Sequence, residues 1–423
     1  MRLFFAILFG RLVGGLSRLL GRGGSALPGL VAEEVDRRLV EKILGDTPVV
    51  LVTGTNGKTT TTKMIVSILE SQGKRVVTNP TGSNLERGVA SALLDASSLG
   101  GRLDADVAVF EVDEAAVRSL APRLKPAVVV VTNLARDQLD RYGELQTTAS
   151  HVATAATHAG RLVLNVDDPL VAGAAGDRPV SWFGGADSIR QRMPDDRSLY
   201  GAATDTAVRP DADALVVDSQ PDGDGQIATI RIGGTEHRIR LQVPGVYNAY
   251  NAATALLVTG LLGVGTAAAI PALEAMEPAF GRGQVLQHQG RRVKLLLVKN
   301  PASLTPAIEI LKGIGEHARI LVAINDEHAD GRDVSWLWDA HIEDLAGTPH
   351  RYLAGGVRAA DMALRFKYAV IDAPALPDFA DALDLLVDGA PPEATVYIVP
   401  TYTAMLRLLE ILTPGASRTE VWR

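Results

Sequence analysis

At 423 residues, the chain is longer than a single hydrophobic core usually serves, so we expect two or three domains. Hydrophobic residues make up 47% and charged residues 22%, a balance that is typical of globular proteins and excludes a disordered chain. The formal net charge of −7 argues against a nucleic-acid-binding surface spread over the whole protein, and the absence of cysteine excludes disulfides, thiolate catalysis and cysteine-ligated zinc.

The first 32 residues contain four arginines and no acidic residue. An apolar run at 3–9 is too short to span a bilayer, which takes about 20 apolar residues, and no signal-peptide cleavage site follows it promptly. Arg11, Arg18 and Arg22 are spaced for one face of a helix. We therefore expect an amphipathic, basic segment over residues 1–40. Its helix packs on the protein's own core or on a partner, or residues 1–24 lie on anionic lipid.

Short apolar runs at 49–52, 75–78, 107–110, 127–131 and 162–165 predict buried strands, and 59–69 has helical spacing. The strands alternate with helices and lack period-two patterning, which indicates a parallel sheet covered on both faces. Ligands of such sheets bind at the carboxyl ends of the strands, where polar residues follow several of these runs.

The loop at 53–60 reads T-G-T-N-G-K-T-T and lies between a predicted strand and a predicted helix. Gly54 and Gly57 let backbone N–H groups approach phosphate oxygens, Lys58 offsets their charge, and the Thr59 hydroxyl can reach magnesium at the helix start. This is the short G-x-x-G-K-T form, because valine stands at position 52. We predict ATP binding by Gly54, Thr55, Asn56, Gly57, Lys58, Thr59 and Thr60.

Residues 181–243 are rich in turns and alternating short strands, which indicates a small antiparallel insert. A helix is predicted from about 246 to 262, and a second α/β pattern runs from 294 to 399. We therefore expect an α/β protein with a central ATP-binding domain over 41–282 and a carboxyl-terminal, Rossmann-like α/β domain over 283–423.

These motifs resemble the Mur ligase family, whose phosphate-binding loop has the same form. Glu111, at a strand end, occupies the place of that family's magnesium-binding glutamate, and Mg²⁺ prefers carboxylate and phosphate oxygens. The segment 132–142 also resembles the family, with Gln138 in place of the usual histidine. Asn248 and Asn251 match its adenine-side motif, although asparagines at this spacing also suit helix capping. We include Arg282, at the proposed domain boundary, among the nucleotide-binding residues.

The segments 297–302 (L-V-K-N-P-A) and 323–339 (A-I-N-D-E-H-A-D-G-R-D-V-S-W-L-W-D) resemble MurT-type members of this family. The chain departs from them in lacking the four cysteines of a zinc ribbon, so we expect no zinc. No lysine stands between 142 and 165, so the carbamylated lysine of amino-acid-adding Mur ligases is missing too.

The resemblance implies amidation of the D-isoglutamate α-carboxyl of the peptidoglycan precursor lipid II through an acyl phosphate, in which Lys58 and Mg²⁺ stabilise the transferring phosphoryl group. Without a cysteine the chain cannot release ammonia from glutamine itself, so the implied partner is a GatD-type glutaminase. An aspartate of this chain would orient that partner's histidine. We choose Asp333, with Asp330 and Asp339 as alternatives, although a turn or cap residue would fit the same position.

Two other functions remain open. A free-standing Mur-type or folylpolyglutamate-type amino-acid ligase would explain the loop, but it predicts a carbamylated lysine or an amino-acid pocket. A non-catalytic ATP-binding scaffold of a membrane complex would explain the amino-terminal segment, but it has no need of Glu111. In each case we expect a cytoplasmic protein, at the inner face of the membrane if residues 1–24 bind lipid.

Overall fold

The computed structural model describes residues 1–19, 27–79, 83–135, 145–193, 209–278, 281–315, 317–391 and 394–414. Three helices open the chain, namely α1 (Arg2–Leu19), α2 (Leu27–Val35) and α3 (Leu39–Leu44). Within the described ranges, no helix is both long and apolar enough to cross a bilayer.

Nine strands form the first sheet, in the order β2-β3-β1-β4-β5-β6-β7-β8-β9. The pairs from β2 to β7 are parallel, and only β8 and β9 run antiparallel to their neighbours. The strands are β1 (Val49–Thr53), β2 (Val76–Thr78), β3 (Val107–Glu111), β4 (Val128–Val131), β5 (Arg161–Asn165), β6 (Val180–Gly185), β7 (Ala214–Asp222), β8 (Gly225–Ile232) and β9 (Thr235–Leu241).

The turn-rich region that the sequence marked as an insert is continuous with this sheet. Its first two strands extend the parallel order beyond β5, and the tight turns at 223–224 and 233–234 then produce two antiparallel hairpins. The turn-rich sequence therefore predicts the hairpins. It does not predict the parallel pairing of β6 with β7, because residues 186–213 separate these two strands.

Helices cover both faces of the first sheet, and this explains why its strands lack period-two patterning. In β1, Val49 and Leu51 pack towards α1 to α3, while Val50 and Val52 pack towards the opposite helices. The remaining helices of this part are α4 (Lys58–Ser71), α5 (Glu86–Ala96), α6 (Val117–Leu124), α7 (Leu145–Ala156), α8 (Pro169–Ala172), α9 (Asp187–Arg190), α10 (Val246–Leu261) and α11 (Thr266–Ala275).

A second sheet of six strands begins at Arg282, in the order β10-β11-β15-β12-β13-β14. All pairs are parallel except β10 with β11. Its strands are β10 (Arg282–His288), β11 (Arg291–Leu296), β12 (Arg319–Ala323), β13 (Arg351–Gly355), β14 (Ala375–Leu376) and β15 (Thr395–Pro400). Its helices are α12 (Pro301–Lys312), α13 (Ala359–Tyr368), α14 (Phe379–Val387) and α15 (Tyr402–Leu412).

A charged contact joins the two sheets. Asp224, in the β7–β8 turn, forms an ion pair with Arg292 of β11, and its carbonyl accepts a hydrogen bond of 2.8 Å from the Lys294 ammonium. Burial, followed by repulsion from Arg292, lowers the pKa of Lys294 to about 8. The observed α/β architecture with two sheets confirms the predicted fold class.

Candidate active site

The glycine-rich loop joins the end of β1 to the start of α4. Gly57 is the N-cap residue of α4 and has φ of 87°, and Gly54 has φ of 124°, conformations that disfavour other residues. A Cβ atom on Gly54 would lie 2.3 Å from the Thr132 hydroxyl, and one on Gly57 would lie 2.5 Å from the Asn251 side-chain oxygen. Both glycines are therefore required by sterics as well as by backbone conformation.

The segment after β4 holds this loop in place. The Thr55 and Asn56 N–H groups donate to the carbonyl and side-chain oxygens of Asn133 at 2.8 and 3.0 Å, and Thr132 donates to the Asn56 carbonyl at 2.7 Å. The N–H groups of Thr55 and Asn56 are therefore already bonded to Asn133. The N–H groups at 57–60, at the start of α4, have no helical carbonyl to bond and are the ones suited to phosphate.

Lys58 lies in a buried cluster of charges. Its ammonium is 2.8 Å from the Glu114 carboxylate, with side chains only 8% and 9% exposed, and it also donates to the Gly54 carbonyl. Burial alone would lower the pKa of Lys58, but the attraction of Glu114 and Asp113 raises it above the usual value. Lys58 is therefore a cation at neutral pH, placed beside the loop where phosphate charge would need to be offset.

Thr59 and Glu111 meet at the carboxyl end of the sheet. The Thr59 hydroxyl donates to the Glu111 carboxylate at 3.1 Å. Asn79 fixes the Glu111 backbone through two hydrogen bonds of 2.9 Å, one to its N–H and one to its carbonyl. Hydroxyl and carboxylate oxygens side by side suit Mg²⁺, which commonly binds one or two carboxylates together with substrate phosphates. Among the described residues no group of three or more His, Cys, Asp or Glu could hold a metal without such help.

Asn248 and Asn251 lie in the first turns of α10 and face α4. The Thr61 hydroxyl donates to the Asn251 side chain at 3.1 Å, and Asn251 in turn donates to Asn248 at the same distance. Asn248 donates to the Pro244 carbonyl at 2.7 Å. The N-cap of α10 is Gly245, without a side-chain cap, so these asparagines connect two helices and do not cap one.

Arg282 and Thr60 complete the predicted nucleotide set. Arg282 begins β10 and is half-buried. A Cβ atom on Gly283, the next residue, would lie 3.0 Å from Pro244, so the start of β10 lies beside the start of α10. Thr60 is buried in the first turn of α4. Of the segment 132–142, residues 136–142, including Gln138, lie outside the described residues.

The three candidate aspartates have different surroundings in the loop after β12. Asp333 is exposed and accepts the Ser335 N–H at 2.8 Å, at the start of a short 3₁₀ helix over Ser335–Trp338. Asp330 is buried and accepts hydrogen bonds from the Thr403 N–H and hydroxyl, and burial raises its pKa. Asp339 is half-buried. Of the three, Asp333 is the carboxylate most open to another protein.

An exposed aromatic surface follows Asp333, and we call it the Trp338 patch. Trp338 and Tyr368 make an edge-to-face contact with ring centroids 5.3 Å apart, and the Arg365 guanidinium lies 5.4 Å from the Trp338 ring centroid. Leu364 and Val370 are also exposed. Arg365 itself is only 3% exposed, so the accessible part of the patch is aromatic and aliphatic, and aromatic side chains are enriched at protein interfaces.

Residues that sequence reasoning did not assign lie around the same site. Glu114 pairs with Lys58, Asn133 anchors the loop, and Asn79 fixes Glu111. The sequence does mark Glu114 as a candidate, because the acidic stretch 111–114 also contains Glu111 and Asp113. It does not predict the pairing with Lys58, which lies 56 positions away.

Two family models match the chain. Residues 52–259 match the Mur ligase middle domain, and residues 297–405 match the MurT ligase C-terminal domain. The MurT subunit of lipid II isoglutaminyl synthase (glutamine-hydrolyzing) from Streptococcus pneumoniae is 31% identical, over 94% of this chain and 94% of that protein. The MurT subunit from Staphylococcus aureus strain COL is 26% identical, over 97% and 98% of the two proteins.

Solved structures of Mur ligase type share the fold. MurF from Acinetobacter baumannii superposes with a TM-score of 0.69 at 20% identity, covering 90% of this chain and 80% of that one. Mycobacterium tuberculosis folylpolyglutamate synthase, solved with ADP and AMPPCP, has a TM-score of 0.62 at 16% identity, covering 98% and 96%.

Fold and phosphate-binding loop thus define an ATP-dependent ligase of the Mur type. Within that class, the chain belongs to the MurT family. Both steps confirm the resemblance that the sequence motifs predicted.

Proposed function

We propose that this chain amidates the α-carboxyl of D-isoglutamate in lipid II, the activity that the names of its relatives describe. The γ-phosphoryl group of ATP passes to a carboxylate oxygen, giving an acyl phosphate and ADP. The lone pair of ammonia then attacks the carbonyl carbon, phosphate leaves with the bonding electrons, and a proton is lost. The observation that carries the proposal is the cluster of Lys58, Thr59 and Glu111 at the start of α4.

Each member of the cluster has a separate task. The Lys58 ammonium, which pairs with Glu114 in this structure, binds the γ-phosphoryl group during its transfer. It stabilises the negative charge that develops on that group. Thr59 and Glu111 would hold Mg²⁺, which would supply positive charge to offset that of the ATP phosphates. The N–H groups at 57–60 orient the same phosphates, while Asn248, Asn251 and Arg282 border the nucleotide at the start of α10.

Ammonia comes from a glutaminase subunit of the GatD type. The chain has no cysteine to act as the nucleophile of glutamine hydrolysis. Asp333 is exposed and adjoins the Trp338 patch, so a docked partner would bury its apolar rings and bring its histidine to the carboxylate. There Asp333 would orient the histidine tautomer and stabilise its cationic form.

The test is an amidation assay on lipid II, with ATP and either glutamine plus the glutaminase subunit or ammonium alone, analysed by mass spectrometry. We expect conversion of the carboxylic acid to the primary amide with both nitrogen donors, and none without ATP. Incorporation of an amino acid in place of ammonia would make the chain a free-standing amino-acid ligase. ATP turnover without any amide product would make it a scaffold.

A further inference from the structure

Helix α1 presents apolar side chains on its outer side as well as on its inner side. The inner side packs on the protein, where Ala6 and Ile7 are fully buried and Gly10 lies against Leu94 and Ala32. The outer stripe consists of Phe4, Phe5, Phe9, Leu12 and Leu16, which are 43%, 43%, 46%, 60% and 59% exposed. An apolar stripe that faces outward is unusual on a soluble domain and indicates a binding surface.

The helix is rigidly attached, so the stripe is a fixed surface. The Arg11 guanidinium donates to the Leu94 carbonyl at 3.0 and 3.1 Å and to the Ser97 carbonyl, both at the carboxyl end of α5. Arg11 is thus turned towards α5, and Leu12 and Leu16 lie on the outer side of the helix. Side chains at 5, 9, 12 and 16 follow helical spacing along one line of the helix.

Charge and size favour a lipid surface as the occupant. Residues 1–32 contain four arginines and no acidic residue, whereas the whole chain has a net charge of −7. Arg11 is turned towards α5, and Arg2 is exposed at the start of the helix. Anionic headgroups attract such a segment, and phenylalanine with leucine suits the boundary between headgroups and acyl chains. The stripe exposes roughly 500 Å² of apolar side chain, less than the ~800 Å² that each partner buries in a standard protein interface.

The position of the stripe also suits a lipid-linked acceptor. Helix α5 extends from the Arg11 contact back to Glu86, two residues after Asn84, whose carbonyl accepts the Asp113 N–H. An 11-residue helix is roughly 16 Å long, so α1 lies about one short helix away from the carboxylates of the site. An enzyme held by α1 would keep that site near the headgroup layer.

We propose that the outer stripe of α1 docks the enzyme on anionic phospholipid, where its lipid-linked acceptor is held. The choice of lipid as occupant rests partly on the proposed function. The docking is peripheral, because the phenylalanines and leucines enter the headgroup boundary while the inner side of α1 stays packed on α2 and α5.

The test is co-sedimentation of the full chain with vesicles of phosphatidylglycerol and phosphatidylcholine, or of phosphatidylcholine alone. The stripe variant is Phe9→Ser/Leu12→Ser/Leu16→Ser. Its matched control is Leu261→Ser/Leu385→Ser/Ile411→Ser, three outward helical residues of 37–40% exposure elsewhere on the protein. We expect anionic vesicles to bind the wild type and the control equally, and the stripe variant at least ~10-fold more weakly. Leu12→Glu should weaken binding as well, through one exposed position that leaves the inner packing intact.

Three results would overturn the inference: a wild type that binds neither vesicle, stripe variants that bind as the wild type does, or a wild-type dimer that the stripe variant makes monomeric. Amidation of a soluble acceptor peptide with ammonium is measured in parallel. Vesicle binding without amidation would refute the proposed function alone, and amidation without vesicle binding would refute the membrane docking alone.

Discussion

A buried ion pair between Lys58 and Glu114 links the phosphate-binding loop to the segment that follows β3. Both side chains are almost fully buried, and Asp113 and Glu111 add negative charge nearby. Removing one partner of a buried pair leaves an unpaired charge, whose cost is about 3–5 kcal/mol. The lysine therefore has a structural task that its motif does not reveal, in addition to its task at the phosphates.

Lys58→Ala should lower ATP-dependent amidation by at least ~10²-fold, because the transferring phosphoryl group loses a preorganised cation. The same change should also destabilise the fold, because Glu114 is left buried without its partner. The matched variant is Lys58→Ala/Glu114→Gln, which removes both charges. It should recover much of the stability in urea unfolding and none of the activity. Recovery of amidation by the double variant would contradict the assignment of Lys58.

Asp333→Asn separates the two proposed activities. The amide keeps the shape of the side chain but loses the charge that stabilises the partner's histidine, so glutamine-dependent amidation should fall by up to ~10⁴-fold. Ammonium at high concentration should restore the product, because Lys58, Thr59 and Glu111 are unchanged.

The comparison variant is Asp330→Asn, which tests one of the two alternative aspartates. It alters the buried carboxylate that accepts from Thr403, so it should lower stability without a selective loss of glutamine-dependent amidation. Equal loss of activity with both nitrogen donors would place Asp333 in the ATP or acceptor site. If Asp333→Asn keeps wild-type activity with glutamine, the aspartate that orients the partner's histidine would be Asp339 or Asp330.

At the scale of elements, α4 and α10 are joined by a buried polar contact. Asn251 accepts from Thr61 and donates to Asn248, three residues earlier in the same helix. This contact keeps the start of α10 against the helix that follows the phosphate-binding loop. It also explains why Gly57 cannot have a side chain, since the Asn251 oxygen would meet its Cβ atom.

Asn251→Ala should lower the free energy of unfolding by about 1–3 kcal/mol, because the Thr61 hydroxyl and the Asn248 amide group lose a buried partner. Urea unfolding followed by circular dichroism measures this change. Gln72→Ala, at the exposed end of α4, is the control and should shift stability by no more than about 0.5 kcal/mol. Equal stability of both variants would show that the contact does not hold the helices together.

Local sequence patterns predict the elements of this fold well. The run at 49–52 gives β1, and the glycine and threonine residues after it give the loop and α4, because these signals act between near neighbours. The pairing of Lys58 with Glu114, and of Thr61 with Asn251 at a separation of 190 residues, depends on the folded chain and has no local signal. Likewise, apolar residues all around α1 predict a helix but do not tell which side is buried.

At the scale of the whole molecule, a polar contact at Asp224 joins the two sheets. The four cysteines of a zinc ribbon are absent, and we propose that the turn-rich region at 181–243 replaces that ribbon without a metal; a changed substrate is the alternative. Within the antiparallel end of the first sheet, Ala228, Ile230 and Ile239 are fully buried in the core that the sheet shares with α4, α10 and α11. Packing of this kind can replace the stabilisation that a metal supplies.

We therefore expect the purified chain to contain no stoichiometric zinc. Elemental analysis after dialysis measures this directly, and a chelator should leave the melting temperature unchanged. One zinc per chain, or a melting temperature that falls with the chelator, would refute the expectation.

The central claim is activation of a carboxylate by phosphoryl transfer, and oxygen-18 in the acceptor tests it most directly. An acceptor whose D-isoglutamate α-carboxyl is labelled with oxygen-18 is amidated with ATP and ammonium, and the released phosphate is analysed by mass spectrometry. An acyl phosphate intermediate predicts one labelled oxygen in each phosphate, formed together with ADP. Unlabelled phosphate, or label in AMP, would contradict the account.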